Sequence, residues 1–545
     1  MTLILPMSAS RCHSRGPLLQ EGVLVSDRLG VKASLGSDRW SPTRVGHAVV
    51  VGGGMAGMLA ARALASHFER VTLIERDALP DSVYARKGVP QGRMLHVMLP
   101  RGQGIIERLF PGYGHELEAA GAVSLRLPAD ALLLSPAGWL DRRANGWPLL
   151  SASRPLFERV LRRRLRKLPG VTILDRHDVT SLLTSRDGRQ VTGVTLRPLD
   201  DASCTTHQLG ADLVVDACGR GSRAPAWLAE AGYPTPTVTH VDPKVVHACR
   251  IYRIPDGFSA DWQMVMLTSQ PPSISRTGYL FPIEDGQWMV SLVGAAGQHP
   301  PTDEDGFAAF ARSLRHPVIA DALATAEPVT PIRSYRGTAN RLWRYERMPR
   351  WPERFVIVGD AVCAFNPIYG QGMSTAAVAA ETLDACLREQ RRRSAAELDG
   401  LARRCQRRLA RANADPWMLS TWEDLRYPTT TGRPVSATIR LVHRYLDRVM
   451  AAATQDPATA DSFLQVMGML APSASLFAPR VLAAAACARP HGDATRPARD
   501  WGPDSCGPDS SPGSNGRENN DDAGRRPCRF RGRGRSINAQ DTASR

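Results

Sequence analysis

The chain has 545 residues, an apolar fraction of 43% and a net charge of +16 at pH 7; this is a globular composition, and the length suggests three or four domains. Its ten cysteines form no Cys-x-x-Cys pair and no regular framework, which argues against a zinc site and a secreted disulfide scaffold, and we predict no bound metal. No run of about 18 apolar residues is present, so we expect no transmembrane helix and a cytoplasmic location.

The two ends of the chain differ in composition from the middle. Residues 1–44 show no sustained periodicity, and residues 489–545 are rich in Pro, Gly, Ser, Asn, Asp and Arg. Such segments bury too little apolar surface to offset their ordering entropy, so we expect both to be disordered. Each end carries +3, which leaves about +10 on the core. This charge favours anionic cofactors or a weak peripheral membrane contact, although solvated arginines on helix faces account for most of it.

The first element of the core carries a glycine fingerprint. Residues 49–51 predict a buried strand, and Gly52-x-Gly54-x-x-Gly57 follows it, just before an alanine-rich helix. The first glycine permits a tight turn, the second lets the backbone approach a diphosphate, and the third lets the helix pack closely on the strand. The diphosphate is expected at the helix N-terminus, where free N–H groups attract anions.

A second strand over residues 71–74 completes this unit. It ends at Glu75, a position where a carboxylate accepts hydrogen bonds from ribose hydroxyls. The whole unit predicts a dinucleotide site, and we include Arg76 among its binding residues. The alternative is an ordinary βαβ unit whose glycines serve packing only.

The rest of the core alternates between helix and strand patterns. The sequence predicts the following elements: a helix over 95–110, interrupted strands over 123–147, a basic amphipathic helix over 154–165, a strand over 171–174, a hairpin over 179–196, a strand over 213–216, and strands over 264–267, 278–281 and 287–293. From about residue 375 the chain is rich in Ala, Leu and Arg and is predicted to be helical. This order indicates a discontinuous α/β domain with an inserted antiparallel sheet.

A second strand–loop–helix lies about 300 residues after the fingerprint. An apolar strand ends at Gly359-Asp360, Pro367 follows, and Gly370-Gln371-Gly372 opens a helix. Alone, this segment fits any α/β protein. Combined with the fingerprint, it predicts one dinucleotide that is held from both ends.

Three separated motifs resemble the flavin-dependent monooxygenases of the aromatic-hydroxylase type. They are the fingerprint with its acid, the segment Asp216-Ala-Cys-Gly-Arg-Gly-Ser-Arg223, and the Gly359-Asp360 segment. The second departs from the family pattern, because Ala-Cys stands between the Asp and Gly219. The amino-acid sequences of residues 87–91 and 365–373 resemble those of squalene-epoxidase-like enzymes, including epoxidases of polyether polyketide pathways.

The resemblance covers about residues 45–485 and implies an α/β fold with a Rossmann-like FAD-binding domain. That domain would comprise residues 45–234 and 341–390, and residues 115–150 would contribute to the substrate domain. The antiparallel substrate domain would be inserted at 235–340, and a helical C-terminal region would follow at 391–488.

The resemblance also implies roles for individual residues. Asp360 would hydrogen-bond the ribityl chain of FAD. The segment from Gly370 through Gln371 and Gly372 to Met373, preceded by Pro367, would place N–H groups near the pyrimidine edge of the flavin, where they stabilise the reduced anion. Arg86 and Arg154 match arginines that contact the cofactor, and Val179 matches a backbone position beside the adenine. For each arginine, a surface charge is the alternative.

The implied reaction inserts one oxygen atom of O2 into an apolar small molecule, with NAD(P)H as the electron donor and a flavin C4a-hydroperoxide as the oxidant. We favour epoxidation of a polyketide or terpenoid alkene, which needs no protein base. A phenol hydroxylase and a flavin-dependent reductase of the geranylgeranyl type are alternatives. A halogenase is disfavoured because the Trp-x-Trp-x-Ile-Pro signature is absent.

The sequence marks no catalytic residue. His96, His115 and His247 are candidate bases, although a structural role is the commoner one. Apolar residues of the inserted sheet are expected to line or support the substrate pocket: Met264, Met266, Phe281, Trp288 and Met289. An Arg–Gly tract over 525–535 could bind RNA, but a solvated tail is the simpler explanation, and no nucleic-acid partner is expected.

Overall fold

A computed structural model of the protein describes residues 46–79, 86–142, 146–200, 205–394 and 397–488. The expected disorder at 1–44 and 489–545, and the Arg–Gly tract, lie outside the described residues.

The described residues contain strands of two to eight residues and helices of six to 22 residues, which alternate along the first two thirds of the chain. The strands are β1 His47–Val51, β2 Arg70–Ile74, β3 Val123–Leu127, β4 Ala131–Ser135, β5 Gly138–Trp139, β6 Trp147–Ser151, β7 Val171–Leu174, β8 His177–Thr184, β9 Val191–Pro198, β10 His207–Gly210, β11 Leu213–Asp216, β12 Val238–Val241, β13 Val246–Arg253, β14 Met264–Leu267, β15 Arg276–Ile283, β16 Gln287–Gly294, β17 Glu327–Pro328, β18 Arg333–Tyr335, β19 Asn340–Trp343, β20 Phe355–Ile357 and β21 Cys363–Ala364. The helices are α1 Met55–Leu64, α2 Pro100–Leu109, α3 Tyr113–Ala119, α4 Arg154–Arg166, α5 Ala224–Glu230, α6 Glu304–Arg312, α7 Val318–Leu323, α8 Gly372–Arg393, α9 Leu401–Ala412, α10 Ala414–Asp424, α11 Ala437–Ala453, α12 Pro457–Met467 and α13 Pro479–Cys487.

The fingerprint strand β1 lies in the middle of a five-stranded parallel sheet. The strand order is β20, β11, β1, β2, β7, and every neighbouring pair is parallel. All residues of β1 are buried, which explains its continuous apolar run. Helix α1 packs against α4 and α8. Because the strands are parallel, their carboxyl ends meet at one edge of the sheet.

An eight-stranded sheet forms the second large layer. Its order is β17, β13, β16, β15, β14, β4, β5, with β18 also paired to β13, and only the β14–β4 pair is parallel. One face of this sheet contributes Ala248, Trp288 and Leu292 to a buried cluster with α6 and α7. The opposite face contributes Met264 and Phe281 to a second cluster, which residues of the C-terminal helices complete.

The α/β fold class predicted from the sequence is confirmed. The predicted helix over 95–110 is wrong at its start, because α2 begins only at Pro100. Leu99 is extended and donates its N–H to Ser374 Oγ at 3.0 Å, so a tertiary contact holds this segment outside the helix. The described residues form one compact unit, and the domain boundaries given above stay a prediction. Within the described ranges, no helix is both long enough and apolar enough to cross a bilayer.

Candidate functional site

A cavity of about 470 Å³ lies at the carboxyl edge of the parallel sheet. Val51, Ile74 and Ala217, at the ends of β1, β2 and β11, form part of its wall. Open parallel sheets bind their ligands at this edge, and the volume is within the range of small-molecule sites.

The three fingerprint glycines serve different purposes at this wall. Gly52 has a φ of +104° and donates its N–H to the Ile74 carbonyl at 2.8 Å. A Cβ at Gly57 would lie 1.7 Å from the Gly52 carbonyl oxygen, so the helix could not pack there. A Cβ at Gly54, which lines the cavity, would meet no atom within 4 Å. Packing therefore requires Gly57, whereas Gly54 leaves a space that a bound group can enter.

Glu75 and Arg76 both line the cavity at the end of β2. Glu75 accepts a hydrogen bond from the Gly53 N–H at 2.7 Å and pairs with Arg86 at 3.0 Å. Arg86 is buried and also bonds Glu158 at 3.0 Å. It is not among the cavity-lining residues, so it supports Glu75 from behind the wall, and a direct contact with a cofactor stays a prediction.

Arg154, the first residue of α4, does line the cavity. Its Nε donates to Glu158 at 3.0 Å, and its guanidinium lies 3.2 Å from His96 Nε2. The other His96 nitrogen lies 2.9 Å from the Met94 carbonyl oxygen. Burial and the charge of Arg154 lower the pKa of His96 to about 3, so the ring is neutral and accepts from Arg154. The wall therefore presents a fixed cation here.

Asp360 lies on the short 3-10 turn that follows β20 and faces the cavity. Its carboxylate has no hydrogen bond to another described residue. Burial raises its pKa, while the charges of Arg220, Arg154 and Arg341 act in the opposite direction. Arg220 also lines the cavity and donates to the Phe365 carbonyl at 2.6 Å. Asp360 is thus an available acceptor among cations.

The second strand–loop–helix, residues 355–373, is called the second clamp from here on. It brings Pro367, Gly370, Gly372 and Met373 to the cavity wall. Gly370 has a φ of +65° and turns the chain into α8, whose first residue is Gly372. A Cβ at Gly372 would meet no atom within 4 Å, as at Gly54. Gln371 is buried and does not line the cavity. The N–H groups that begin α8 and its dipole favour negative charge at this position.

A buried polar network that the sequence did not reveal holds this loop from behind. The carboxylate of Asp424, at the end of α10, accepts from Asn340 at 2.5 Å, Asn366 at 2.9 Å and Tyr369 at 2.7 Å. The Asn366 N–H donates in turn to the Asn340 side chain at 2.8 Å. Burial raises the pKa of Asp424 to about 7. One carboxylate therefore fixes both ends of the 366–369 turn.

Val179, on β8, lines the cavity, and its position beside the adenine stays a prediction. Asp216, the first residue of the middle motif, does not line the cavity and has a structural role. Asp216 is fully buried, accepts from the Cys218 N–H at 2.9 Å and from the Ser222 hydroxyl, and so fixes the turn after β11. Arg223, the last residue of the motif, reaches the cavity.

The structure shows which of the candidate histidines and which of the apolar residues of the inserted sheet line the cavity. His96 and His247 line the cavity, whereas His115 is exposed on α3. None of the five apolar residues expected to line or support the pocket lines it. Met264, Met266 and Phe281 belong to the hydrophobic cluster that also includes the cavity-lining residues Leu95 and Val97, whereas Trp288 packs on the opposite face of the sheet against Phe258. Alternation along a strand shows which residues share a face, but not which face meets the cavity. No cluster of potential metal ligands occurs among the described residues.

The cavity has the chemistry of a dinucleotide site. At Gly54 and Gly372 it has open spaces that no protein atom fills, which we call cradles. It also has cationic side chains at Arg154 and Arg220 and a carboxylate at Glu75. These features suit a diphosphate, an electron-rich ring and ribose hydroxyls respectively. The fold and the site therefore define a dinucleotide-binding α/β protein.

Comparison with known proteins agrees with this class. Residues 46–414 match the FAD binding domain family, and the chain belongs to this family as an FAD-dependent monooxygenase. It is 34% identical to Protein Rv3254 of Mycobacterium tuberculosis over 430 residues, which cover 78% of this chain and 90% of that protein. It is 30% identical to kynurenine 3-monooxygenase of Salinispora arenicola over 378 residues, 64% of this chain and 74% of that enzyme. The flavin-dependent halogenase CmlS shares the fold, with a TM-score of 0.54, 20% identity and coverage of 79% and 77% of the two chains.

Proposed function

We propose that the protein transfers one oxygen atom of O2 to an alkene of an apolar polyketide or terpenoid, with NAD(P)H as the electron donor. The observation that carries this proposal is that neither of the two candidate bases on the cavity wall, His96 and His247, is a strong base. Burial lowers the pKa of His96 to about 3 and of His247 to about 4. Epoxidation of an alkene needs no protein base, whereas phenol hydroxylation is helped by one.

The chain's own part in this reaction is to bind, orient and exclude water. The bound flavin supplies the chemistry, because its reduced form activates O2 for oxygen-atom transfer. The open spaces at Gly54 and Gly372 would receive the cofactor, Asp360 would accept hydrogen bonds from its sugar-like chain, and the α8 N-terminus would favour negative charge at its ring. The Asp424 network keeps the loop that carries Pro367 in one position.

Aromatic hydroxylation is the second candidate, and the likeness to kynurenine 3-monooxygenase favours it. The two candidates share the cofactor, the donor and O2, so they differ only in the organic substrate and its product. We rank epoxidation first because His96 and His247 are weak bases.

The test feeds polyene and phenol candidates to the purified enzyme with NAD(P)H under 18O2 and examines the products by mass spectrometry. We expect one labelled oxygen atom in an epoxide or in the diol that it gives on hydrolysis. A labelled phenol would favour the second candidate. Reduction of a double bond without label would contradict both and indicate a reductase.

A further inference from the structure

The side chain of His247 is buried at the cavity wall without a hydrogen-bond partner. It is 6% exposed and lines the cavity. Its Nε2 atom is unpaired and inaccessible to solvent, whereas Nδ1, which also bonds no other residue in the described ranges, is not closed off in this way. A group in the cavity can therefore reach the ring at Nδ1. A buried polar group without a partner costs about 1–3 kcal/mol, and such groups are rare enough in folded proteins to need an explanation.

The ring of His247 is neutral, because burial alone lowers its pKa to about 4. A neutral imidazole offers one N–H donor and one acceptor nitrogen. A hydroxyl group is complementary to the reachable Nδ1 in either tautomer, since it can donate to this nitrogen or accept from it. An anionic group would gain no charge–charge attraction from this neutral ring.

The position of His247 points to a substrate rather than to the cofactor. It lies on β13 of the eight-stranded sheet, where it pairs in register with Tyr335 of β18, and Tyr335 also lines the cavity. The glycine cradles belong to α1 and α8, which pack beside the parallel sheet. Apolar side chains of the segment before α2 complete this part of the wall, among them Leu95 and Val97, and Leu95 lies against Cys249 on the same face of β13.

We propose that His247 is a substrate-binding residue that hydrogen-bonds a hydroxyl group of an otherwise apolar alkene. The substrate is therefore an unsaturated alcohol and not a plain hydrocarbon, and the hydroxyl fixes which double bond meets the flavin. This inference rests on the proposed function, because it takes the ligand at this wall to be the substrate that accepts oxygen.

The test is a binding titration of the FAD-loaded enzyme with a matched pair of probes. Geraniol and 2,6-dimethylocta-2,6-diene share one carbon skeleton and differ by the hydroxyl. Binding is followed as a change in the flavin absorbance, without NAD(P)H, so that it does not depend on turnover. The His247→Leu variant is expected to bind geraniol about ten-fold more weakly and to bind the diene within two-fold of the wild type.

The controls separate this role from others. His247→Gln, which keeps a donor and an acceptor, should recover most of the geraniol affinity. Equal losses for both probes, no loss for either, or no binding of geraniol to the wild type would overturn the inference. A lowered flavin content in His247→Leu would also overturn it, because the histidine would then belong to the cofactor site. Geraniol binding through His247 in an enzyme that transfers no oxygen would instead refute the proposed function and leave this contact standing.

Discussion

Replacement of Gly54 by Ser tests whether the open space at this residue is a cofactor cradle. Gly54 is the N-cap of α1 with φ of −79° and ψ of −172°, a conformation that serine adopts readily, and an added Cβ would meet no protein atom within 4 Å. Since serine is at least as good an N-cap as glycine, the free energy of unfolding of the FAD-free protein should change by less than about 0.5 kcal/mol. Two added atoms in a closely packed cofactor contact cost about 1–3 kcal/mol, so the Kd for FAD should rise roughly 5- to 150-fold.

The assay combines chemical denaturation of the FAD-free protein with titration by FAD, followed by quenching of flavin fluorescence. Gly210→Ser is a matched control on β10, away from the cavity, where the nearest atom to an added Cβ is 3.9 Å away; both quantities should stay unchanged. Gly57→Ala should instead destabilise the fold by more than about 3 kcal/mol, because its Cβ would lie 1.7 Å from a backbone oxygen. Wild-type FAD affinity in Gly54→Ser would refute the cradle.

Three further predictions concern the carboxylates near the second clamp. Asp360→Ala should raise the Kd for FAD about ten-fold, while the stability of the FAD-free protein stays equal or rises, because this buried carboxylate accepts no hydrogen bond from another described residue and burial outweighs the attraction of the nearby arginines; isothermal titration and denaturation measure the two effects. Asp424→Ala should lower the free energy of unfolding by about 3–5 kcal/mol, because three buried donors, on Asn340, Asn366 and Tyr369, lose one acceptor; a loss below about 1 kcal/mol in urea denaturation would show that the network is not structural. The pKa of Asp424 in the folded state, about 7, is above its usual value of about 3.9, so its contribution to stability is complete below about pH 4 and is lost as the pH rises through 7. The stability of the wild type relative to Asp424→Asn should therefore fall between pH 5 and 7 by up to about 1.4 kcal/mol per pH unit, and a pH-independent difference would contradict this.

Local patterns predicted the cofactor half of the molecule well. The strands Val171–Leu174 and Leu213–Asp216 match their predicted bounds. Leu213–Asp216 is fully buried, as a continuous apolar run predicts for a parallel strand, whereas Val171–Leu174 lies at the edge of the sheet and is only partly buried. The glycine fingerprint lies at the predicted junction of strand and helix, because only glycine satisfies the contacts at Gly52 and Gly57. Such features depend on neighbours close in sequence.

Features that depend on distant residues could not be predicted from one sequence. Asp424 lies 84, 58 and 55 residues from its three partners, and no local pattern marks a carboxylate for that role. The start of α2 depends on Ser374, 275 residues away. His247 looks like any histidine in a strand, and only the fold shows that it lacks a partner at the cavity wall.

The flavin content of the purified protein tests the central claim most directly. The account predicts one non-covalently bound FAD per chain, released on denaturation and identified by chromatography, and a protein stripped of flavin that takes up one equivalent of added FAD. A colourless protein that binds no added FAD would contradict the account, since the fingerprint and the second clamp would then form a cavity without its cofactor.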